Sequence, residues 1–191
     1  MLDSFRDTFR LPDLKRRILF TLAALFVYRL GAHVPTPGVD AAALGRLFDQ
    51  GSILGFLDLF AGGALSRFSI FALGVTPYIN SSIVMQLLAV VVPSIEKLQK
   101  EGEEGRKKIV QWTRYGTIIF AFIQAVGMTG WLRGLGIYTG SFMDIILVSL
   151  TLTTGAVAVM WLGEIMSDHG IGNGISLLIF AGIVVRIPEA V

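Results

Sequence analysis

Glu164 and Asp168, four positions apart at the end of a long uncharged run, are the residues best placed for acid–base chemistry or proton coupling. At a helix end such a pair is ordinarily solvated. The run Gly170-Ile171-Gly172-Asn173-Gly174-Ile175-Ser176 has the alternating glycines of a phosphate cradle. It lacks a preceding strand and a following Lys-Ser/Thr pair, so nucleotide binding is not expected. A tight reversal fits better, with Asn173 or Ser176 capping the helix that follows. His33 and His169 are isolated, with no second ligand in view, and read as interfacial polar residues. With no Cys among the 191 residues, disulfides, Fe–S clusters, thiol nucleophiles and Cys/His zinc sites are excluded, and the redox compartment stays undetermined. No catalytic residue, cofactor or metal is therefore expected.

The elements that would carry such residues are apolar to an unusual degree. Hydrophobic residues make up 53% of the chain and charged ones 16%, against about 25% charged in an ordinary soluble domain. The mean hydropathy is +0.69, so neither a water-soluble globule nor a disordered chain is compatible with it. Uncharged stretches cover residues 68–95, 115–132, 145–163 and 170–185, and residues 18–34 are apolar apart from Arg29 and His33. A hydrocarbon core about 30 Å thick takes roughly 20 apolar residues to cross. The pattern predicts five spans, at 18–34, 68–95, 115–132, 145–163 and 175–188, with Tyr28 and Arg29 snorkelling at the end of the first and Pro188 stopping the last. Reading residues 18–27 as a cleavable signal core, with Ala41-Ala42-Ala43 as its site, leaves an overlong, Pro-rich gap.

Basic residues orient the spans. Residues 1–17 hold Arg6, Arg10, Lys15, Arg16 and Arg17, and the connection 96–114 holds Lys97, Lys100, Arg106, Lys107, Lys108 and Arg114; the alternate connections hold only Arg46 and Arg67 (35–67) and Arg133 (133–144). The positive-inside rule puts the N-terminus, the 96–114 loop and the 164–174 turn in the cytoplasm. A net charge of +2 is too near balance for a nucleic-acid binder.

Two further features stand out. Residues 52–65 include a short apolar piece with one acid, too short to span, which suits either a re-entrant half-helix or an amphipathic helix on the outer leaflet. Gly62-Gly63 ends or hinges it. The second span carries Thr76, Asn80, Ser81, Ser82 and Gln86, which in hydrocarbon must face helices or water. Val75, Ile79, Ser82 and Gln86 share one helical face, and Pro77 is expected to kink that helix. Helix–helix adhesion accounts equally for Asn80 and Gln86.

Gly62-Gly63-Ala64-Leu65-Ser66-Arg67-Phe68-Ser69-Ile70-Phe71-Ala72-Leu73-Gly74-Val75-Thr76-Pro77-Tyr78-Ile79 strongly resembles the first signature of the SecY family of protein-conducting channels. So do Trp161-Leu162-Gly163-Glu164, the 170–176 run and Phe180-Ala181-Gly182-Ile183 after it. Leu14-Lys15-Arg16-Arg17, Pro35-Thr36-Pro37-Gly38-Val39-Asp40, Lys100-Glu101-Gly102-Glu103 and Thr113-Arg114-Tyr115-Gly116 complete the match in the family's order, across nearly the whole chain.

The resemblance implies an all-α polytopic membrane protein: five transmembrane helices plus a short re-entrant plug helix, one pseudo-symmetric half of a ten-helix channel. It implies passage of unfolded preproteins across the cytoplasmic membrane and lateral release of hydrophobic segments into the bilayer. By the family's pattern Val75, Ile79 and Ile179 match a pore ring of branched apolar residues, with Val75 in place of the commoner Ile widening it slightly. Residues 52–65 fall in the plug, with Leu54, Phe56, Leu57, Leu59, Phe60, Gly62 and Gly63 named for it and Leu65 at its end, and Asn80 and Ser81 fall on one side of the lateral gate. Implied partners are SecE, SecG, the SecA motor ATPase, the ribosome, signal sequences and the missing C-terminal half, with no nucleic acid contacted except through the ribosome. A dry collar resists ions yet adapts to any passing side chain, because it offers no fixed hydrogen bonds. Five helices alone would leave the polar faces of the second and fifth unmatched in lipid. Rival readings are half of an inverted-repeat small-solute transporter, or a non-transporting scaffold.

Overall fold

The computed structural model describes residues 12–39, 44, 58, 62–138 and 140–190, with side chains to 185. Six helices appear among them: α1 (Pro12–Gly31), α2 (Thr76–Val91), α3 (Pro93–Lys100), α4 (Glu103–Gly134), α5 (Phe142–His169) and α6 (Gly174–Ala190). The long pair α4 and α5 forms the spine. α2 packs on α4, α6 and α1 pack on α5, and α3 bridges α2 and α4.

The interior is built from small side chains. Thr113, Thr117, Ala121, Ala125 and Thr129 recur every fourth residue of α4 and are buried, as do Pro77, Ser81, Met85 and Ala89 on α2. Spacing by four makes one straight ridge. Large residues point outward instead: Ile119 and Ile123 on α4, Val90 and Val91 on α2, and Phe142 and Trp161 on α5 are all exposed. Small residues between helices and bulky ones outside is the arrangement for lipid, where backbone approach rather than water exclusion drives helix association. Most threonine hydroxyls in these helices are satisfied by their own helix. Thr117, Thr129, Thr151, Thr153 and Thr154 each donate to the carbonyl four residues back at 2.7–2.9 Å.

Among the described residues α4 and α5 are by length and composition able to cross a membrane, and α2 with α3 makes a third only if that pair, bent by 101°, is one span. Charges crowd the start of α1, and the apolar part of α6 is short. The fold is all-helical as expected.

The expected second span, 68–95, is not one helix. Residues 62–75 run in successive turns, and the helix begins at Thr76. Phe68 has φ +45° and Gly74 φ +53°, conformations no helix accepts. This turn region pairs with the chain leaving α1: Thr36 N–H donates to Phe68 O (2.9 Å) and Ile70 N–H to Val34 O (3.0 Å). Backbone that would sit unsatisfied at membrane depth is thereby bonded to protein. Pro77 does not kink the helix. It lies in the first turn of α2, where its missing N–H costs nothing. The break comes at the other end, where Val92 is extended (φ −102°, ψ 109°) before Pro93 starts α3.

Two glycines mark where backbone must come close. A Cβ on Gly155 of α5 would collide with the Ile70 carbonyl, and one on Gly116 of α4 with Ser81 Oγ. Tyr28 does not snorkel: it is buried and stacks on Phe71, ring centroids 5.9 Å apart at 8°.

Candidate functional site

Val75, Ile79 and Ile179 line one cavity of about 440 Å³, together with Tyr28, Leu65 and Gln124. Val75 caps the N-terminus of α2 and Ile79 lies one turn on, its N–H donating to Val75 O at 3.1 Å. Ile179 arrives on α6, whose start is fixed from three sides. Asn173 Oδ1 accepts the Ser176 N–H (3.1 Å), and Ser167 Oγ of α5 accepts the Gly174 N–H (2.9 Å). α1 supplies the third: Arg17 donates to Gly170 O (3.2 Å), while Thr21 Oγ1 accepts the Ile171 N–H (3.2 Å). The glycine run is thus a clamped reversal, with Gly172 at φ +67°.

The polar half of the 75/79/82/86 face lies elsewhere. Gln86 Nε2 donates to Ser82 Oγ (3.3 Å), and both line a second cavity of about 670 Å³ beside Tyr78, Met85, Arg106 and Thr113. Ser81 is 1% exposed and faces α4, donating to Thr113 O at 2.7 Å. Asn80 is half-buried. Gly62 and Gly63 lie in a buried turn with φ +62° and +80°. Leu54, Phe56, Leu57, Leu59 and Phe60 lie outside the described residues.

The carboxylates do not converge. Glu164 is gripped by Arg114 of α4, with Nε–Oε1 at 3.0 Å and Nη2–Oε2 at 2.8 Å, and its side chain is only 13% exposed. It is not a solvated helix-end group. Asp168 faces a different recess, beside Asp13, Arg16, Arg17 and His169. Among the described residues no three His, Asp or Glu side chains could share a metal ion.

Several contacts were not legible beforehand. Arg114–Glu164 joins positions 50 apart, and Arg29 donates to Gly62 O across 33. Asp58, fully buried, accepts the Leu65 and Ser66 N–H groups at Oδ1 (3.0 and 2.9 Å). The one available signal was the charge itself, an arginine inside the first apolar stretch and an acid inside the 52–65 piece.

The SecY family model matches residues 69–191. The chain belongs to the SecY family. Relatives named protein translocase subunit SecY are 48% identical over 184 residues in Pseudomonas aeruginosa and 49% over 189 in Escherichia coli K12, each covering 95% of this chain and 42% of the relative. The relative from Streptomyces griseus is 43% identical over 204 residues, covering all of this chain and 47% of its own length. The chain therefore spans less than half the length of each of these three relatives. Two solved structures, titled "Sec61 in the Canine ribosome-channel complex from the endoplasmic reticulum" and "The structure of a protein conducting channel", share its fold at a TM-score of 0.67 and 22% identity, over 90% of this chain and 36% of theirs. None of these lends support to a small-solute transporter.

Proposed function

We propose that this SecY-family chain is the first half of a protein-conducting channel in the cytoplasmic membrane, through which unfolded preproteins pass and from which hydrophobic segments leave sideways into lipid. One observation carries the reading: Val75, Ile79 and Ile179, from α2 and α6, meet at a single apolar cavity. A collar of branched aliphatic groups has no charge or hydrogen-bond donor to favour an ion over water, so it closes by staying dry. It also binds no substrate side chain specifically, which suits passage of any sequence. Gly62 and Gly63, with Leu54, Phe56, Leu57, Leu59 and Phe60, belong on this reading to a plug sealing the outer side. Asn80 borders the lateral gate, whereas the burial of Ser81 against α4 favours a role in holding the gate helix.

The N-terminus, the 96–114 loop and the 164–174 turn face the cytoplasm on this reading, by the distribution of basic residues. The proposed partners are the C-terminal half, SecE, SecG, and either the SecA motor or a translating ribosome to supply energy. The protein is not an enzyme on this view; it lowers a barrier to transfer rather than to bond breaking.

The test is a photocrosslinker at position 79 of a full-length subunit carrying this chain, with a stalled secretory polypeptide as target. Capture at 79, absent at the outward-pointing positions 119 and 123 of α4, is the expected result. No capture at 79, while a crosslinker on the stalled chain's signal sequence still traps the complex, would sink the channel reading.

A further inference from the structure

Beyond the cluster at its start, α1 carries a single charge, Arg29. A lipid-facing arginine near a helix end would extend its head to the interface. This one turns to protein: an Nη donates to the Gly62 carbonyl at 2.8 Å. That carbonyl opens the turn 62–66, whose far end is held by the opposite charge, because Asp58 Oδ1 accepts the N–H groups of Leu65 and Ser66 at 3.0 and 2.9 Å. A cation on the carbonyl end and a carboxylate on the amide end fix the turn from both sides, and charge-assisted bonds of this kind are roughly twice as strong as neutral ones. The turn also lies hard against α6. Gly62 has φ +62°, and a Cβ on it would come within 2.9 Å of Gly182 Cα. From this turn Leu65 reaches the cavity lined by Val75, Ile79 and Ile179.

The geometry points to Leu65 as a fourth apolar residue of the collar, and to Arg29 as the positioning residue that holds it there. This rests on the channel reading. Val75, Ile79 and Ile179 are fixed by helix backbone, but Leu65 stands on a turn, and no helical ladder sets its position. Its place is set by the two charged groups and the Gly62–Gly182 contact, together with backbone bonds from Phe68 N–H to Leu65 O (3.0 Å) and Ser69 N–H to Ala64 O (2.9 Å). Arg29 does not line the cavity itself; it acts through the turn. Loss of its donor frees one end while Asp58 keeps the other, so the collar loosens without the fold being lost.

The test uses a full-length subunit carrying this chain, assembled with its partner subunits in lipid vesicles. Resting ion leak is expected to rise about tenfold in Arg29→Gln, the scale of one charge-assisted bond. Arg29→Lys, which keeps a charged donor where Gln offers only a shorter neutral one, should fall between the parent and Arg29→Gln. Gly62→Ala should match Arg29→Gln with both charges intact, and it carries the test if Arg29→Gln fails to accumulate. Because this segment has no cysteine, Leu65→Cys in an otherwise cysteine-free subunit reports the turn directly. A membrane-impermeant maleimide should label it about tenfold faster when Arg29→Gln is added. Ile79→Ser is the control for the collar. If Ile79→Ser leaks while the Arg29 and Gly62 variants stay tight and the labelling rate is unchanged, the Arg29 assignment falls and the channel reading stands. If leak rises with unchanged labelling at 65, Leu65 is not part of the collar. If Ile79→Ser is as tight as the parent, the channel reading itself falls, and this inference with it.

Discussion

Arg114 of α4 and Glu164 of α5 form a two-pronged ion pair, at 3.0 and 2.8 Å, in which the carboxylate is largely shielded and the guanidinium half exposed. The bond to Glu164 is also what chiefly raises the Arg114 pKa above its ordinary value, so Arg114 stays charged at any physiological pH. Removing either partner frees the C-terminal end of α5 from the first half of α4. Because Arg114 meets solvent, the loss in Arg114→Ala should be modest, about 1 kcal/mol. Glu164→Ala should cost a similar amount, and the reversed pair Arg114→Glu with Glu164→Arg should recover most of it. Thermal unfolding in detergent reads this directly, and equal stability of parent and both single variants would contradict it.

Ser81 and Gly116 make a tighter junction. Ser81 Oγ donates to Thr113 O at 2.7 Å and sits where a Gly116 side chain would go. Ser81→Ala should cost about 1 kcal/mol, the net worth of one buried hydrogen bond. Gly116→Ala should cost more, since its Cβ collides with the hydroxyl. Combining them should cost less than the sum, because the remaining Ser81 Cβ is 3.4 Å from the new methyl, a contact that small shifts relieve. Strict additivity of the two in the same unfolding assay would show that the residues do not share a site.

Ser81 also shows where sequence reading ran out. A serine in an uncharged stretch must face something polar, but the chain alone does not say whether that is a gate, a water path or a neighbouring carbonyl. The stripe on α4 that receives it consists of Thr and Ala, which carry little hydropathy signal of their own. By contrast, α4 and α5 were legible because 18 or more uncharged residues have few ways to be satisfied other than a membrane helix. Residues 68–75 misled for the same reason. They are as apolar as the helix after them, and what holds them as turns is pairing with Val34 and Thr36, more than 30 residues earlier, added to local bonds such as Ala72 N–H to Ser69 O and Gly74 N–H to Phe71 O. Val75, Ile79 and Ile179 were matched through the family's motif, and Leu65 stands in the same 62–79 signature with nothing there to mark it as a wall residue; Tyr28 and Gln124, which share the cavity wall, carry no motif and come from packing.

Asn173 is expected to matter through α6 rather than through any ligand. Its Oδ1 accepts the Ser176 N–H at 3.1 Å, filling one of the bonds a helix start lacks. Asn173→Ala should destabilise by about 1 kcal/mol, and Asn173→Ser, also a good cap, by much less. Limited proteolysis at the 170–174 turn should report it, with faster cleavage in the alanine variant only. Equal cleavage of all three would mean that Ser167 and the clamp from Arg17 and Thr21 fix the reversal without Asn173.

The collar makes the sharpest demand on function. Replacing Val75, Ile79 or Ile179 with Gly in a full-length subunit removes branched carbons from the wall of a cavity of about 440 Å³ and, on the channel reading, widens the constriction enough to admit water. Because a wetted constriction conducts ions, each variant should raise resting conductance, with Ile79 and Ile179 above Val75, whose side chain is smaller. The same loosening should lower the hydrophobicity a signal sequence needs to open the channel, so preproteins with weakened signals should be exported more efficiently. Vesicle ion flux and export of a signal-defective reporter give two independent readings. Conductance unchanged by all three substitutions, in subunits that assemble normally, would mean that the cavity is not on the translocation path.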